Sequence, residues 1–374
     1  MKWRHWILLA AMPWWQIGCA LLPTFRGPAP LAAGISAASP WPEGLQDYRG
    51  VIHCHSLFSH DSRGTLEEIQ RACERVNLDF LIMTDHITED SIAQGWRERH
   101  GRTLFIVGAE ISRSRGSILA LDLNHYVSPK SSNLNLLNRI HDQGSLAMVG
   151  HMEETEDDDL VGFDGMELYN IHANAVLHGK AKLLAKALFL PPGSLFRSMM
   201  AVHPPNFARW DALTLTRPAV GIFGNDVHQN VTVLGPRLGH IGTYEQLLKV
   251  SITRVIAANG DRASIMDALR AGHCYGALEI WGSAEGFAFT ASRAGRTLLP
   301  GDRAWFDADW TLEVQLPVAA EIRLIRNGEE VQRIHAKEWC YQPPLSGVYR
   351  VEVWLRTKPW IFSNPIYLTD SREP

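Results

Sequence analysis

The chain has 374 residues, of which 46% are apolar and 20% charged, the balance of a globular protein with a sizeable core and length for one large domain plus a smaller one. A formal charge of −4 excludes a broad nucleic-acid-binding surface, because phosphate contacts need clustered Lys and Arg. It leaves room for a small phosphorylated substrate, since bound cations outweigh local protein charge.

In chain order, Lys2, Arg4 and His5 precede an uncharged run from Trp6 to Leu22. The run is short for a membrane span, is interrupted by Pro13 and Gln16, and reads as an export signal over residues 1–22. Ile17-Gly18-Cys19-Ala20 resembles a bacterial lipoprotein cleavage box with Cys19 as the acylated residue. An uncleaved anchor and ordinary secretion are the alternatives, so the expected location is periplasmic or membrane-anchored. Pro23, Pro28, Pro30, Pro40 and Pro42 make residues 23–47 a linker. The 5 cysteines contain no CxxC pair, which removes zinc-finger and redox motifs.

From residue 48 to 282 the pattern alternates between apolar runs and helical spacing. Val51–His55 reads as a strand, and Thr65–Val76 as a helix with Thr65 as N-cap and Glu68 as its capping-box partner. Phe80–Thr84 is a continuous apolar run ending at Asp85-His86, and Leu104–Val107 another ending near Glu110. Helical Leu134–Asp142 precedes the strand Leu146–Val149, which ends at His151; Met166–Tyr169 and Val220–Phe223 follow, the last leading to Asn225-Asp226-Val227-His228. Residues 173–215 read as a helical excursion over the site, and Ser264–Arg270 as a further helix. From 283 to 374 short alternating segments, with Asn327-Gly328 as a hairpin turn, predict an antiparallel β-sandwich.

Polar residues just beyond the C-terminal ends of successive strands mark the chemical face of an α/β fold. His53-Cys54-His55 puts two imidazoles at spacing two, with Cys54 pointing the other way. Asp61 follows in a loop, and Asp85-His86, Glu110, His151, Asp226 and His228 end other strands. Packing alone requires none of them. Mixed imidazole and carboxylate donors suit Zn, Mn or Fe without choosing among them, and a carboxylate such as Glu110 can bridge two ions.

The segments His53-Cys54-His55-Ser56, Ser59-His60-Asp61, Thr84-Asp85-His86, Gly108-Ala109-Glu110, Gly150-His151 and Asn225-Asp226-Val227-His228 resemble, in this order, the motifs of the PHP (polymerase and histidinol phosphatase) superfamily. The resemblance spans roughly residues 48–280 and implies a distorted (β/α)7 barrel holding about two or three divalent ions. By that resemblance one ion takes His53, His55, Glu110 and Asp226; another shares Glu110 and adds His151; a third takes Asp61, His86 and His228. Members commonly carry a further His where this chain has Ser117, so either Ser117 or His125 is left to serve the second ion. Within the superfamily, the export signal, the His55–Gly64 stretch and the β-rich tail look most like the branch with carbamate and ester hydrolases.

His60 and Asp85 are the candidate acid or leaving-group partners, with Asp85 alternatively orienting a neighbouring ligand. Arg63 and Arg115, in loops on the same side, are candidates for holding an anionic substrate. His172, His178 and His203 read as ordinary polar residues, with His172 able to line the pocket. Pro359-Trp360-Ile361-Phe362 reads as packing the tail against the barrel. The expected function is hydrolysis of a small phosphoester by a metal-bound hydroxide. Hydrolysis of a carbamate or carboxylic ester at the same site, and a non-catalytic surface binding protein, are the alternatives.

Overall fold

Thr65 and Glu68 form the expected reciprocal cap, and the helix they start, α1 (Leu66–Arg75), buries Leu66, Ile69, Ala72 and Cys73. This places α1 over one face of the first strands. The computed structural model describes residues 39–155, 160–171, 173–174, 186, 189–229 and 242–370. The N-terminal segment with Cys19, most of the expected linker, His172 and His178 lie outside the described residues. The end of that expected linker is packed: Trp41 is buried against Tyr275 and Phe287.

The fold is α/β, with one large mixed sheet and few helices. Its strands are β1 (Gln46–Cys54), β2 (Phe80–Met83), β3 (Glu98–His100), β4 (Thr103–Val107), β5 (Ala109–Ser112), β6 (Ser117–Leu121), β7 (Leu146–Gly150), β8 (Gly165–Asn170), β9 (Val220–Val227), β10 (Ser251–Ala257) and β11 (Cys274–Leu278). Parallel pairs β2–β4, β1–β2, β1–β9, β8–β9 and β7–β8 carry the sheet across, and β6 inserts antiparallel between β5 and β7. Gly108 links β4 to β5, and a Cβ there would come within 2.4 Å of the Ala120 carbonyl oxygen. Only glycine fits that approach.

One face of these strands presents Ile52, Phe80, Ile82, Leu104, Ile106, Leu119, Leu121, Met148 and Ile222 to a common core. The other face packs under helices, with Val51, Leu81 and Phe105 beneath α1. Helix α7 (Arg262–Ala271) contributes Ile265, Met266 and Leu269 to the first core beside Leu104, Leu121 and Val220. These last three sit at the strand ends opposite the histidines, so α7 covers the far end. Among the described residues the remaining α-helices are α2 (Glu89–Gln94), α3 (Asn133–His141), α4 (Pro192–Arg197), α5 (Pro204–Thr214) and α6 (Tyr244–Leu247).

The C-terminal strands β12 (Ala288–Arg293), β13 (Arg296–Leu298), β14 (Arg303–Trp305), β15 (Thr311–Arg326), β16 (Glu329–Tyr341), β17 (Gly347–Leu355), β18 (Lys358–Ser363) and β19 (Ile366–Thr369) share a second core around Phe289, Trp310, Ile322 and Val351. They are antiparallel except for β14–β19, and β18 is hydrogen-bonded to β11, which joins them to the main sheet. Asn327 and Gly328 adopt φ of 53° and 84° in the expected β15–β16 hairpin, the left-handed conformation a two-residue turn requires. The Pro359–Phe362 stretch falls in β18, and Phe362 packs 5.0 Å from Phe207 and 5.5 Å from Phe223 between ring centres. From Ser39 onward the chain is a single compact unit.

Candidate metal centre

Backbone irregularities, rather than simple strand alternation, assemble the centre. On β1, Ile52 faces the inner core and Val51 faces α1. Regular alternation would send His53 outward with Val51. Instead His53 has φ of 69°, and the register of β1 against β9 shifts between Ile52 and Cys54. Cys54 thereby joins Val51 beneath α1, while His53 and His55 both turn to the centre. His151 and Asp226, on two other strand ends, have φ of 50° and 53°. Such conformations cost non-glycine residues about 1–3 kcal/mol each and persist where surrounding structure fixes them.

The convergence is tight. The Nε2 atoms of His53 and His55 lie 3.4 and 3.3 Å from Asp226 Oδ1, and 3.6 and 3.4 Å from Glu110 Oε2. His151 Nε2 reaches Glu110 Oε1 at 3.1 Å and Asp226 Oδ2 at 3.5 Å. On the other side of His55, Asp61 Oδ2 lies 3.3 Å from His86 Nε2 and 3.2 Å from His228 Nε2, and His86 Nδ1 is 3.4 Å from Glu110 Oε2. His228 stacks on His55 with ring centres 4.0 Å apart. All eight predicted ligands are therefore in one cluster.

The neighbouring groups fix which nitrogen faces inward. His53 Nδ1 pairs with Glu167 Oε1 at 2.7 Å, His55 Nδ1 with the Ser59 hydroxyl at 3.0 Å, and His228 Nδ1 with the Asp226 carbonyl oxygen at 3.1 Å. Each leaves Nε2 as the donor atom toward the centre. Asp85 sits behind this layer: its carboxylate accepts from Ser56 N at 2.6 Å, Ser56 Oγ at 2.8 Å and Ser59 Oγ at 2.7 Å. Through Ser59 it holds His55 in place. His60 is exposed and lies against His86, ring centres 4.7 Å apart. Arg63 and Arg115 are exposed on loops.

Sequence reasoning missed Glu167 and Glu153. Glu167 is buried on β8, pairs with His53, and accepts from His151 N at 3.2 Å and Asn170 Nδ2 at 3.0 Å. Glu153 Oε1 lies 3.4 Å from His151 Nδ1. A signal was available for the first, because Glu167 is an acidic residue inside the apolar run Met166–Tyr169. Strand direction separates Ser117 from His125. β6 runs antiparallel, so Ser117 lies opposite Gly150 beside the centre, whereas His125 follows the other end of β6, where Arg262 reaches Asp122 and Asn124. Ser117 shares the inner face with Leu119 and Glu110; its hydroxyl is buried and has no hydrogen-bond partner.

The electrostatics suit a cation site. Burial alone would raise the Glu110 carboxyl, but the adjacent His151 and His53 imidazoles hold it well below the usual carboxylate range. Burial works to lower His151, yet its hydrogen bonds to Glu110 and Glu153 carry it up to about 12. His53 is likewise held well above the usual imidazole value, against its burial, by Glu167 and Asp226. His228 goes the other way: burial and the adjacent His55 push it down to about 4. Without cations, protons on His53 and His151 balance the buried carboxylates.

The donor set fits divalent ions. Within each of three groups the ligand atoms lie within 4.8 Å of one another: His55, Asp61, His86 and His228; His53, Glu110 and His151; His53, His55 and Asp226. Donors about 2.0–2.2 Å from a shared ion lie roughly 3.0–3.6 Å apart, the range of the separations above. Among the described residues the buried Nε2 atoms of His53 and His55 make no hydrogen bond and face carboxylate oxygens 3.3–3.6 Å away, an arrangement that a bound cation would satisfy.

No protein-family model matches the chain, and no curated protein matches it. Among solved structures, a two-domain protein of Bacteroides vulgatus, described as containing a PHP-like metal-dependent phosphoesterase by prediction, is 15% identical over 87% of this chain and 97% of its own, with a TM-score of 0.45. A candidate metal-dependent phosphoesterase of Bifidobacterium adolescentis is 14% identical over 53% of this chain and 95% of its own, with a TM-score of 0.30.

Proposed function

We propose that the chain is a metal-dependent hydrolase of a small phosphoester, built on a distorted (β/α)7 barrel of the PHP type with a β-sandwich-like C-terminal part. The observation that carries the reading is the pair of buried, unbonded His53 and His55 Nε2 atoms facing Glu110 and Asp226. The ordered motif resemblance supports it. Bound there, about two or three divalent ions supply Lewis acidity and lower the pKa of water. Glu110 and Asp226, each within reach of several imidazoles, are the residues that would hold ions together. Glu167 fixes the His53 tautomer, and Asp85 is a positioning residue acting through Ser59. His60, exposed beside His86, would give a proton to the departing oxygen. Arg63 and Arg115 would attract the anionic substrate.

Elemental analysis of purified protein, with a screen of phosphoesters and naphthyl carbamates, tests this. Ions bound together with phosphoester turnover support it. Turnover of carbamates or carboxylic esters alone moves the reaction to carbon at the same centre. Failure to bind Zn, Mn or Fe, with no turnover, leaves the reading untenable. We also propose that residues 1–22 direct export, with Cys19 as a lipid-bearing anchor; the mass of the mature N-terminal peptide checks this.

A further inference from the structure

Strands β1 and β9 give out where the centre begins. The His55 amide donates to the Val227 carbonyl at 3.0 Å, and beyond that bond two side-chain hydroxyls take over from the ladder. Tyr244 Oη donates to the His55 carbonyl at 2.7 Å, and Ser62 Oγ donates to the His228 carbonyl at 2.8 Å. The two oxygens are 3.1 Å apart, and Ser62 Oγ is also 3.2 Å from the His55 carbonyl. Both residues are buried. The same node holds the loop that carries Asp61. Ser62 follows Asp61 directly, the Leu57 amide closes the loop on the Gly64 carbonyl at 2.8 Å, and a Cβ on Gly64 would come within 2.1 Å of the Tyr244 ring. Ser59, in this loop, accepts from the His86 amide at 3.0 Å. One loop and one tyrosine thus hold His55, Asp61, His86 and His228, which form one of the three ligand groups. The group of His53, Glu110 and His151 shares none of them.

We propose that Tyr244 and Ser62 are positioning residues that set the affinity of one ion, the one held by His55, Asp61, His86 and His228, independently of the ion at His53, Glu110 and His151. The inference rests on the metal-dependent reading above and deepens it. An ion tolerates only a few tenths of an ångström in the placing of its donors. The His55 and His228 rings stack with centres 4.0 Å apart, so the spacing of their Nε2 atoms follows the spacing of the two backbones. Tyr244 and Ser62 fix that spacing. Without the hydroxyls the two carbonyls lose their bridge and the donors can draw apart. The other group is held by different means: Glu167 pairs with His53 Nδ1 at 2.7 Å and accepts from the His151 amide at 3.2 Å. It should keep its shape when the bridge is cut.

The test is titration of the ion-free full chain with Zn alone, followed by calorimetry and by competition against a chelator. Reference variants assign the binding steps: Asp61→Asn weakens the step of the first group, and His151→Ala that of the second. Tyr244→Phe and Ser62→Ala are each expected to weaken the Asp61 step by about 10–100-fold and to leave the His151 step unchanged. Because the two hydroxyls act as one bridge, the double variant should lose little more than either single one. If Tyr244→Phe does not fold, Ser62→Ala carries the test alone. Equal weakening of both steps, which a general loosening of the fold would give, overturns the proposal. So does an unchanged Asp61 step, or a parent protein with no step that Asp61→Asn weakens, and the metal-dependent reading survives each of these. A parent that binds no ion at all ends that reading and the proposal with it.

Discussion

Strand β1 has a buried charge cluster at each end, and the two are built differently. At its start, Arg254 is 4% exposed and meets Asp47 at 3.2 Å and Glu279 at 2.7 Å, while Arg49 joins Glu279 at 2.7 Å. Tyr275 completes it by donating to Asp47 at 2.5 Å. Cations and carboxylates there come from the protein itself, and Arg254 is held charged, despite burial, by Asp47 and Glu279. At the other end the carboxylates face imidazoles, two of which have an unbonded Nε2. The first cluster carries its own permanent cations, Arg254 and Arg49. The second balances its carboxylates with protons on imidazoles that a bound cation would displace, a difference expected between buried charge that braces a fold and buried charge poised to bind.

The contrast can be broken in either direction. Asp226→Ala, which removes the carboxylate nearest the Nε2 atoms of both His53 and His55, is expected to lower turnover by roughly a thousandfold or more through loss of bound cations. Elemental analysis and circular dichroism check it: a folded protein with fewer ions is expected, and unchanged turnover would refute the ligand role. Arg254→Met should do the reverse. Leaving Asp47 buried without its cation, and Glu279 with Arg49 alone, costs about 3–5 kcal/mol of stability, read from urea unfolding, with the ion content of the surviving folded protein unchanged. Loss of ions in that variant would mean that the two ends are one functional unit.

How far this was legible in the sequence follows from the same contrast. The ligands were readable because each is a polar residue ending an apolar strand, where packing gives no reason for it. The Thr65 cap and the Asn327-Gly328 turn were readable because they are local. The Arg254 cluster was invisible, since Asp47 and Glu279 are far apart in sequence from one another and nothing local marks them as partners. The inward turn of His53 was also hidden. Spacing alone suggested that His53 and His55 share a face, but with Ile52 facing the core that sharing depends on a positive φ at His53. Strand direction was the other loss: an antiparallel β6 puts Ser117 at the centre and takes His125 to the far end.

Glu167 gives a smaller and more selective perturbation. Glu167→Gln keeps the shape and weakens the acceptor for His53 Nδ1, so metal affinity should fall by about 10–100-fold with little change in the melting temperature of ion-free protein. Competition against a chelator measures it; an affinity equal to the parent's would reduce Glu167 to a packing residue.

The last prediction uses pH, and its sign follows from the protonated imidazoles. In ion-free protein the pKa of His151 is raised to about 12 and that of His53 well above the usual value. A raised pKa contributes stability that is fully present below the unfolded value near 6.5 and is lost as pH rises toward the folded value. Ion-free protein should therefore become less stable from pH 6.5 to 9. Loading an ion must displace the same protons, so affinity should climb by about tenfold per pH unit for each proton released. Melting temperatures with and without ion thus diverge as pH rises, and a weakly buffered solution acidifies on adding Zn or Mn. The Arg254 cluster has no such exchangeable proton, so Arg254→Met should shift both curves together without changing their divergence. Parallel curves in the parent protein, with no proton release, would mean that the imidazoles are not where cations bind.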